Sequence, residues 1–260
     1  MSTMDVKHGG LSGVEPGDQY QHAHHFRTQA EEFDAVKLGF WLFLTTEILL
    51  FGGIFCAYLI FRAWYPAAWA EGSANLDWRW GGANTILLLV SSYTMAAGIY
   101  ACQTGQYRRM RLNLLFTIIA GLLFVAIKFV FEYTPKWSGY FFFLDPSLHH
   151  YEAILTGNKA LGGMFIEVAG YGGKRPGMLF SHPFAADPHV PMWWSVYYSG
   201  TALHALHVLV GVVLIARVYI KSLSGTYGPK YYTGVEIAGL YWHLVDLIWI
   251  FLFPLLYLIH

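Results

Sequence analysis

The chain has 260 residues, of which 56% are hydrophobic and only 12% are charged. An ordinary soluble domain carries about 25% charged residues, so most of this protein's surface is expected to face something other than water. The 16 basic and 16 acidic residues cancel, which argues against a nucleic-acid partner because there is no net positive charge to attract one. Aromatic residues reach 18%, a composition suited to anchoring helices at two membrane interfaces.

Five stretches remain apolar over the length of about 20 residues that a helix needs to cross a bilayer. In chain order they cover residues 38–64, 83–102, 112–133, 192–220 and 235–259. They predict an all-α polytopic membrane protein, a five-transmembrane-helix bundle formed by residues 38–260. Residues 1–37 are polar and contain no apolar segment typical of a cleavable signal peptide, so we expect a polar N-terminal tail.

The connections between these stretches predict the orientation of the chain. Lys and Arg in short loops mark the cytoplasmic side, and the basic short loops are 103–111 and 221–234. We therefore expect the N-terminal tail in the cytoplasm of a bacterium. The C-terminus and the long extramembrane loop 134–191 are then expected on the periplasmic side of the inner membrane. The remaining connection, 65–82, contains a proline, several tryptophans and mixed charges, which predicts an interfacial loop.

Glu47 lies within the first apolar stretch, about nine residues from its start. At 1.5 Å per residue this is roughly 13 Å deep, near the middle of the bilayer. No basic residue lies within one helical turn. Glu47 is therefore expected to be neutral, hydrogen-bonded to another helix, or close to water. Two interpretations stay open: an acid that handles protons or faces lipid, and a structural acid bonded across the bundle.

Lys128 and Glu132 are four residues apart in the third apolar stretch. This spacing places both side chains on one helix face, where they can form an ion pair. Pairing is favoured over isolation in a medium of low dielectric constant. A structural ion pair is the preferred interpretation over a catalytic one.

The last two apolar stretches carry most of the remaining polar groups. His204 and His207 share a helix face, as do His243 and Asp246, and Glu236 precedes His243 by about two turns. Imidazole and carboxylate groups suit iron, zinc or copper, so a metal site is one hypothesis. The preferred alternative is a buried polar network in which the imidazoles hydrogen-bond to acids or backbone across the bundle.

Other chemistry finds little support in the sequence. Cys56 and Cys102 lie in apolar runs without a C-x-x-C, which favours two buried apolar side chains over a disulfide or a thiolate metal site. Motifs for phosphate binding, a nucleophile elbow, H-E-x-x-H and a c-type haem do not occur. A b-type haem held by two histidines stays open. The N-terminal group His22, His24 and His25 precedes every apolar stretch and indicates a polar tract.

Five segments, taken in order, resemble subunit III of cytochrome c oxidase. They carry a buried glutamate, an Asn-Thr start with a Ser-Ser pair, an aromatic-flanked glutamate, two histidines three apart, and a Tyr-Trp-His and Val-Asp-x-x-Trp ending. The segments are GFWLFLTTEILLFGGIFCAY, ANTILLLVSSYTM, FVFEY, SGTALHALHVLVG and GVEIAGLYWHLVDLIWIFLFPLLYL. The last two are the most specific of the set.

The resemblance implies a non-catalytic subunit of an aa3- or caa3-type oxidase that reduces O2 and pumps protons in aerobic respiration. Such a subunit holds no redox centre and no metal; haem and copper belong to partner subunits. It packs against subunit I, with subunit II and small subunits as further partners, and it binds phospholipid and supports assembly and proton uptake. Glu47 is then the counterpart of a carboxylate near a lipid cleft. Arg217 corresponds to a basic residue suited to a lipid phosphate.

Two features depart from the long form of the family. Two N-terminal helices that border the lipid cleft in that form do not precede residue 38, and loop 134–191 is longer than the usual connection. We expect this loop to contact cytochrome c or a quinol-oxidising complex. Alternatives are the corresponding subunit of a quinol oxidase or nitric oxide reductase, and a stand-alone membrane metalloenzyme using His204, His207 and His243. A transporter would predict inverted repeats or broken helices, and the sequence has neither.

Overall fold

The computed structural model describes residues 27–74, 76–133, 140–142, 165–167 and 187–259. This part of the chain contains six α-helices, and five stretches are long and apolar enough to cross a membrane. The structure therefore confirms an all-α polytopic fold with five spans. The helices are α1 (Gln29–Trp64), α2 (Pro66–Ala74), α3 (Trp78–Gln103), α4 (Tyr107–Ile127), α5 (Val190–Leu223) and α6 (Thr233–Phe253). Two π-helical turns, Lys128–Tyr133 and Pro254–Leu258, prolong α4 and α6.

Helix α1 begins well before the apolar stretch that predicted it. The side chain of Thr28 accepts a hydrogen bond from the backbone N–H of Glu31 at 3.2 Å, and Glu31 and Glu32 lie in the first turn. Both features stabilise a helix start, so residues 29–37 of the expected polar tail belong to α1. Residues 1–26, with the three N-terminal histidines, lie outside the described residues.

The connections are shorter and more helical than expected. The interfacial loop expected at 65–82 contains α2. Only residues 104–106 join α3 to α4, because Gly105 adopts φ of 73° and the N–H of Gln106 closes back on the carbonyl of Ala101 at 2.8 Å. Glycine adopts this left-handed conformation without steric penalty, so it ends α3 sharply. The arginines of the expected basic loop consequently lie in the first turns of α4.

Most of loop 134–191 lies outside the described residues. Its described parts include two strands, β1 (Tyr140–Phe142) and β2 (Phe165–Glu167), which pair antiparallel. At the start of α5, Asp187 donates its backbone N–H to Glu71 at 3.1 Å and accepts from the backbone N–H of His189 at 2.8 Å. The second of these hydrogen bonds lowers the pKa of Asp187.

The core of the bundle is built around one tryptophan where four helices meet. The indole of Trp242 in α6 packs against Gly121 in α4 and Gly211 in α5. A Cβ atom at Gly121 would lie 2.6 Å from the Trp242 ring, so only glycine allows this approach. The indole N–H donates to Ser91 in α3 at 3.1 Å. Trp242 therefore joins α3, α4, α5 and α6.

Helix α1 lies at the edge of this four-helix core. Its span is 17% buried within the chain, against 56% for the final span, and it packs on α2, α5 and α6. Cys102 is buried, whereas Cys56 is exposed on the outer side of α1. The prediction of two buried cysteines is therefore wrong for Cys56.

Candidate functional site

The acid in the middle of α1 is paired with a histidine of α5. Glu47 Oε2 lies 2.7 Å from His207 Nε2, and the two residues are 160 positions apart in the chain. The sequence identified both residues but did not connect them. Two interpretations were left open for Glu47, a proton-handling or lipid-facing acid and a structural acid. Both now include a hydrogen bond to an imidazole of another helix.

The second ring nitrogen of His207 determines how many protons this pair holds. His207 Nδ1 lies 2.8 Å from the carbonyl oxygen of Leu203, which can only accept, so Nδ1 carries a hydrogen and donates it. Nε2 and the Glu47 oxygen must then share one hydrogen. It resides on the carboxyl group or on the imidazole, and in either case the pair is neutral overall. A neutral pair avoids the cost of a bare charge at membrane depth.

The Glu47–His207 pair is partly accessible. Its side chains are 15% and 13% exposed. Phe51 packs edge-on against the imidazole with ring centroids 5.1 Å apart, and the hydroxyl of Tyr241 lies 3.4 Å from the His207 carbonyl. The pair therefore lies where α1, α5 and α6 meet, beside aromatic side chains and with a small part of its surface exposed.

A second polar cluster closes the end of the bundle that precedes loop 134–191. Lys128 Nζ lies 2.5 Å from Glu132 Oε2, and both side chains are almost completely buried. Two tyrosines that the sequence did not single out complete a tetrad: Tyr197 from α5 and Tyr257 from the last turn of the chain. The π-helical turn aligns Lys128 with Glu132 and Tyr133 on the inner face, which a regular helix would not do for all three.

Counting donors and acceptors assigns charges to the tetrad. Both tyrosine hydroxyls donate to Glu132 Oε2, from Tyr197 at 2.8 Å and from Tyr257. An oxygen that accepts from these hydroxyls and from Lys128 belongs to an ionised carboxylate. The three N–H groups of a lysine ammonium match Glu132 and the two tyrosine oxygens. The tetrad is therefore a salt bridge with its donors in use.

Aromatic faces surround the ammonium group of Lys128. Its Nζ lies 4.9 Å from the ring centroids of Trp249 and Tyr257 and 5.2 Å from that of Tyr197. These distances are within the range of cation–π attraction, which is strongest away from water. The hydroxyl of Tyr133 adds a 2.6 Å hydrogen bond to Thr201 in α5. The cluster holds the ends of α4, α5 and α6 together.

His204 lies in a different environment from that of His207. It is fully buried, stacks on Trp249 with centroids 5.1 Å apart, and meets Phe124 edge-on. Neither ring nitrogen has a hydrogen-bond partner among the described residues. The expectation that this imidazole donates to an acid or to backbone is therefore not met within the described part of the chain.

His243 and Asp246 contact α3 rather than α5. His243 Nδ1 lies 2.7 Å from the hydroxyl of Ser92, and the Asp246 carboxyl group also contacts Ser92. Asp246 is 5% exposed, and its Oδ1 has no hydrogen-bond partner within the described residues. This group is separate from the two clusters above.

The two remaining site residues lie near the opposite end of the bundle. Glu236 accepts from Lys37 at 3.1 Å, and the pair is 25% and 32% exposed, so it does not belong to a buried network. Arg217 is exposed near the end of α5. The single polar network expected from the sequence is thus divided into separate contacts. Among the described residues, no three histidine, cysteine, aspartate or glutamate side chains are arranged to hold a metal ion.

Comparison with known proteins places this chain among oxidase subunits. The family model described as cytochrome c oxidase subunit III matches residues 183–260. A cytochrome c oxidase subunit 3 from Synechocystis sp. is 31% identical over 245 residues, which cover 94% of this chain and 81% of the relative. A heme-copper oxidase subunit I+III from Aeropyrum pernix is 24% identical over 87% of this chain and 23% of the relative. A probable quinol oxidase subunit 3 from Staphylococcus epidermidis is 25% identical over 89% of this chain and 92% of the relative.

The matches agree with the motifs and with the fold. The region matched by the family model contains both of the most specific motifs, those of α5 and α6. The similarity to the Synechocystis protein extends over nearly the whole chain, and the five apolar spans suit a multi-pass membrane subunit. The chain belongs to the cytochrome c oxidase subunit III family and is a subunit III of the haem–copper oxidases.

Proposed function

We propose that this chain is the non-catalytic third subunit of an aa3- or caa3-type cytochrome c oxidase, where it supports assembly, lipid binding and proton uptake. The observation that carries the proton role is the Glu47–His207 contact of 2.7 Å. It holds one shared proton at membrane depth and is partly accessible. A carboxyl group and an imidazole that share one hydrogen supply a proton donor and a proton acceptor, which a role in proton uptake requires.

The partner in this proposal is subunit I, the haem–copper subunit. The relative from Aeropyrum pernix, named as a subunit I+III, supports this because its name joins the two subunits in one chain. Haem and copper are then carried by partner subunits, and subunit II and small subunits are further partners. Arg217, exposed near the end of α5, suits the phosphate of a bound phospholipid because a guanidinium group binds phosphate in a bidentate manner.

The proposed location is a bacterial inner membrane with the N-terminus in the cytoplasm and the C-terminus in the periplasm. The distribution of basic residues supports this orientation. Arg108, Arg109 and Arg111 follow α3, and Lys221 and Lys230 lie at the end of α5 and after it, at the same end of a five-span bundle. In this orientation loop 134–191 faces the periplasm, where an electron donor binds. Deleting residues 143–164 tests whether the loop contributes to electron entry.

A second candidate is the corresponding subunit of a quinol oxidase. The similarity to the Staphylococcus epidermidis protein, named as a probable quinol oxidase subunit 3, favours it. The two candidates differ in the electron donor of the assembled complex. Oxygen consumption by the purified complex with reduced cytochrome c, compared with consumption with a quinol, distinguishes them.

Native purification with mass identification of the co-eluting chains tests the subunit role. We expect a haem–copper subunit I to co-elute, and metal analysis of the isolated chain to find no stoichiometric iron or copper. Stoichiometric metal in the isolated chain, with activity and no partner, would support the stand-alone metalloenzyme instead. A complex containing a nitric oxide reductase subunit would assign the chain to that enzyme.

The proton role is tested by Glu47→Gln in the whole complex. We expect assembly to be kept and sustained turnover to fall, because the amide keeps a hydrogen bond to His207 but carries no exchangeable acid proton. Glu31→Gln is the matched control, because Glu31 is an exposed acid of the same helix. Unchanged sustained turnover in Glu47→Gln would leave Glu47 a structural acid.

A further inference from the structure

The outer surface of the bundle is not uniform at membrane depth. The outward positions of α4 and α5 are mostly bulky and apolar, as lipid chains favour. Examples are Ile119, Leu122 and Leu123 in α4 and Leu206 and Val213 in α5. The seam between α3 and α6 differs, because polar side chains occur there beside exposed apolar ones.

This seam contains an imidazole, a hydroxyl and a carboxyl group in contact. Ser92 of α3 bonds to His243 Nδ1 at 2.7 Å and also contacts Asp246. His243 is only partly buried, and its Nε2 makes no hydrogen bond to any described residue. Asp246 is 5% exposed and its Oδ1 is likewise without a hydrogen bond in the described part of the chain.

Lipid chains cannot satisfy the partly exposed imidazole of His243. A buried polar group without a hydrogen bond is unfavourable, and hydrocarbon offers neither donors nor acceptors. Ionisable residues at membrane depth therefore usually face other protein or water. The contrast with the apolar outer faces of α4 and α5 indicates which side of the bundle is covered by protein.

The rim of the seam also suits a protein partner. Tyr93, one residue after Ser92, is 74% exposed in the middle of the α3 span, away from both membrane interfaces where tyrosine normally anchors. Leu247 on α6 is 50% exposed, and Ala96 on α3 is exposed one turn from Ser92. The rim thus presents two large side chains and a small one, and a small residue allows a second helix to approach closely.

We propose that the seam between α3 and α6, centred on His243, Ser92 and Asp246, is the surface on which a transmembrane helix of the catalytic haem–copper subunit docks. That helix presents a hydrogen-bond donor, from a hydroxyl, amide or imidazole side chain, to Nε2 of His243, the accessible polar group of the seam. This inference rests on the proposed function, which supplies the partner. The outer faces of α4 and α5 then face lipid.

Photo-crosslinking in the intact complex tests this surface. A photoreactive amino acid replaces Leu247 on the seam or, as a matched control, Leu206 on the outer face of α5; these leucines are 50% and 56% exposed. We expect irradiation to join the Leu247 variant to the catalytic subunit and the Leu206 variant to lipid only. Crosslinking of the catalytic subunit from position 206 and not from 247 would overturn the proposal, as would lipid adducts alone at both positions.

Two tryptophan variants test the same surface by steric exclusion, without a crosslinking reaction. Ala96→Trp fills the seam, and Ala202→Trp is the control on the outer face of α5; both alanines are exposed, so neither change disturbs the core. We expect about a tenfold fall in retention of the Ala96→Trp chain by the purified complex, equivalent to about 1.4 kcal/mol of binding free energy. The Ala202→Trp chain should be retained like the wild type. Equal retention of the two variants would contradict the proposal.

Failure of this inference is distinguishable from failure of the proposed function. If the wild-type chain does not co-purify with a haem–copper subunit, the proposed function is wrong and no docking surface for that subunit exists. If it co-purifies but the crosslinks come from Leu206, only the position of the docking surface is wrong.

Discussion

Two glutamates within the spans of this protein lie in contrasting environments. Glu132 is 3% exposed in its side chain, and its oxygen accepts from Lys128, Tyr197 and Tyr257. Glu47 is 15% exposed and shares one hydrogen with a single partner, His207. The first carboxylate is surrounded by donors that are already in use. The second is partly accessible and has one hydrogen-bond partner among the described residues.

The difference shows that one residue type occurs in two environments, one closed by donors and one partly open. A carboxylate held by an ammonium group and two hydroxyls loses several interactions when it is protonated, so it stays ionised and stabilises the fold. The carboxyl group of Glu47 has one partner and is partly exposed, so fewer contacts depend on it. The contrast supports a structural role for the Lys128 tetrad and the proposed proton exchange for the Glu47–His207 pair.

Breaking the tetrad should have the largest effect on stability. Glu132→Leu leaves Lys128 buried without its counter-ion, which typically costs about 3–5 kcal/mol. We expect loss of assembled complex or a large fall in its thermal midpoint. The double variant Lys128→Met/Glu132→Leu should recover most of that loss, because no charge is then buried. A double variant as unstable as the single one would contradict the assignment of a buried salt bridge.

Removing one hydroxyl from the tetrad should have a smaller effect. Tyr257→Phe takes a donor from Glu132 and an acceptor from Lys128 while it keeps the ring, and we expect a cost of about 1–3 kcal/mol. Denaturation of the purified complex measures it. Tyr232→Phe is a matched control, because Tyr232 is only partly buried and lies outside the spans. Equal effects of the two changes would mean that the hydroxyl of Tyr257 is not part of a closed cluster.

At Glu47 the effects on stability and on turnover should separate. In Glu47→Gln the amide donates to His207 Nε2, so we expect the free energy of unfolding to change by less than about 1 kcal/mol. The turnover sustained by the complex, and its dependence on pH, should change because the exchangeable proton is gone. Glu132→Gln should do the reverse, with lower stability and an unshifted pH profile in the complex that survives. If only Glu132→Gln shifted the pH profile, Glu132 would be the residue that exchanges protons and Glu47 the structural one.

The exposed ion pair should contribute least to the stability of the protein. Lys37 and Glu236 are 32% and 25% exposed, and pairs in contact with water typically contribute up to about 1 kcal/mol. Lys37→Gln should therefore leave assembly and turnover close to those of the wild type, with any loss of stability reduced further at high salt. A loss comparable to that of Glu132→Leu would mean that this pair is enclosed by a partner subunit.

The sequence predicted the features that depend on residues close together in the chain. Apolar length predicted the five spans, and the spacing of Lys128 and Glu132 predicted their contact. The start of α1 was misplaced because the cap at Thr28 acts outside the apolar stretch. The short helix α2 was taken for a loop because its nine residues are too few to show a clear period.

Contacts between residues that are far apart in the chain could not be predicted from the sequence. His207 and Glu47 were both singled out, yet 160 positions separate them and no spacing rule joins them. Tyr197 and Tyr257 were missed because a tyrosine in an apolar stretch is normally read as packing. His204 and His207 share a face only approximately, since three residues turn a helix by about 300°. That offset leaves His204 in the core and His207 against α1.

Infrared spectroscopy of the intact oxidase in H2O and D2O, with Glu47→Gln and Glu132→Gln compared with the wild type, tests the central assignment most directly. We predict a deuterium-sensitive carboxyl or imidazolium signal that disappears in Glu47→Gln and persists in Glu132→Gln. A signal that persists in Glu47→Gln and disappears in Glu132→Gln would contradict it.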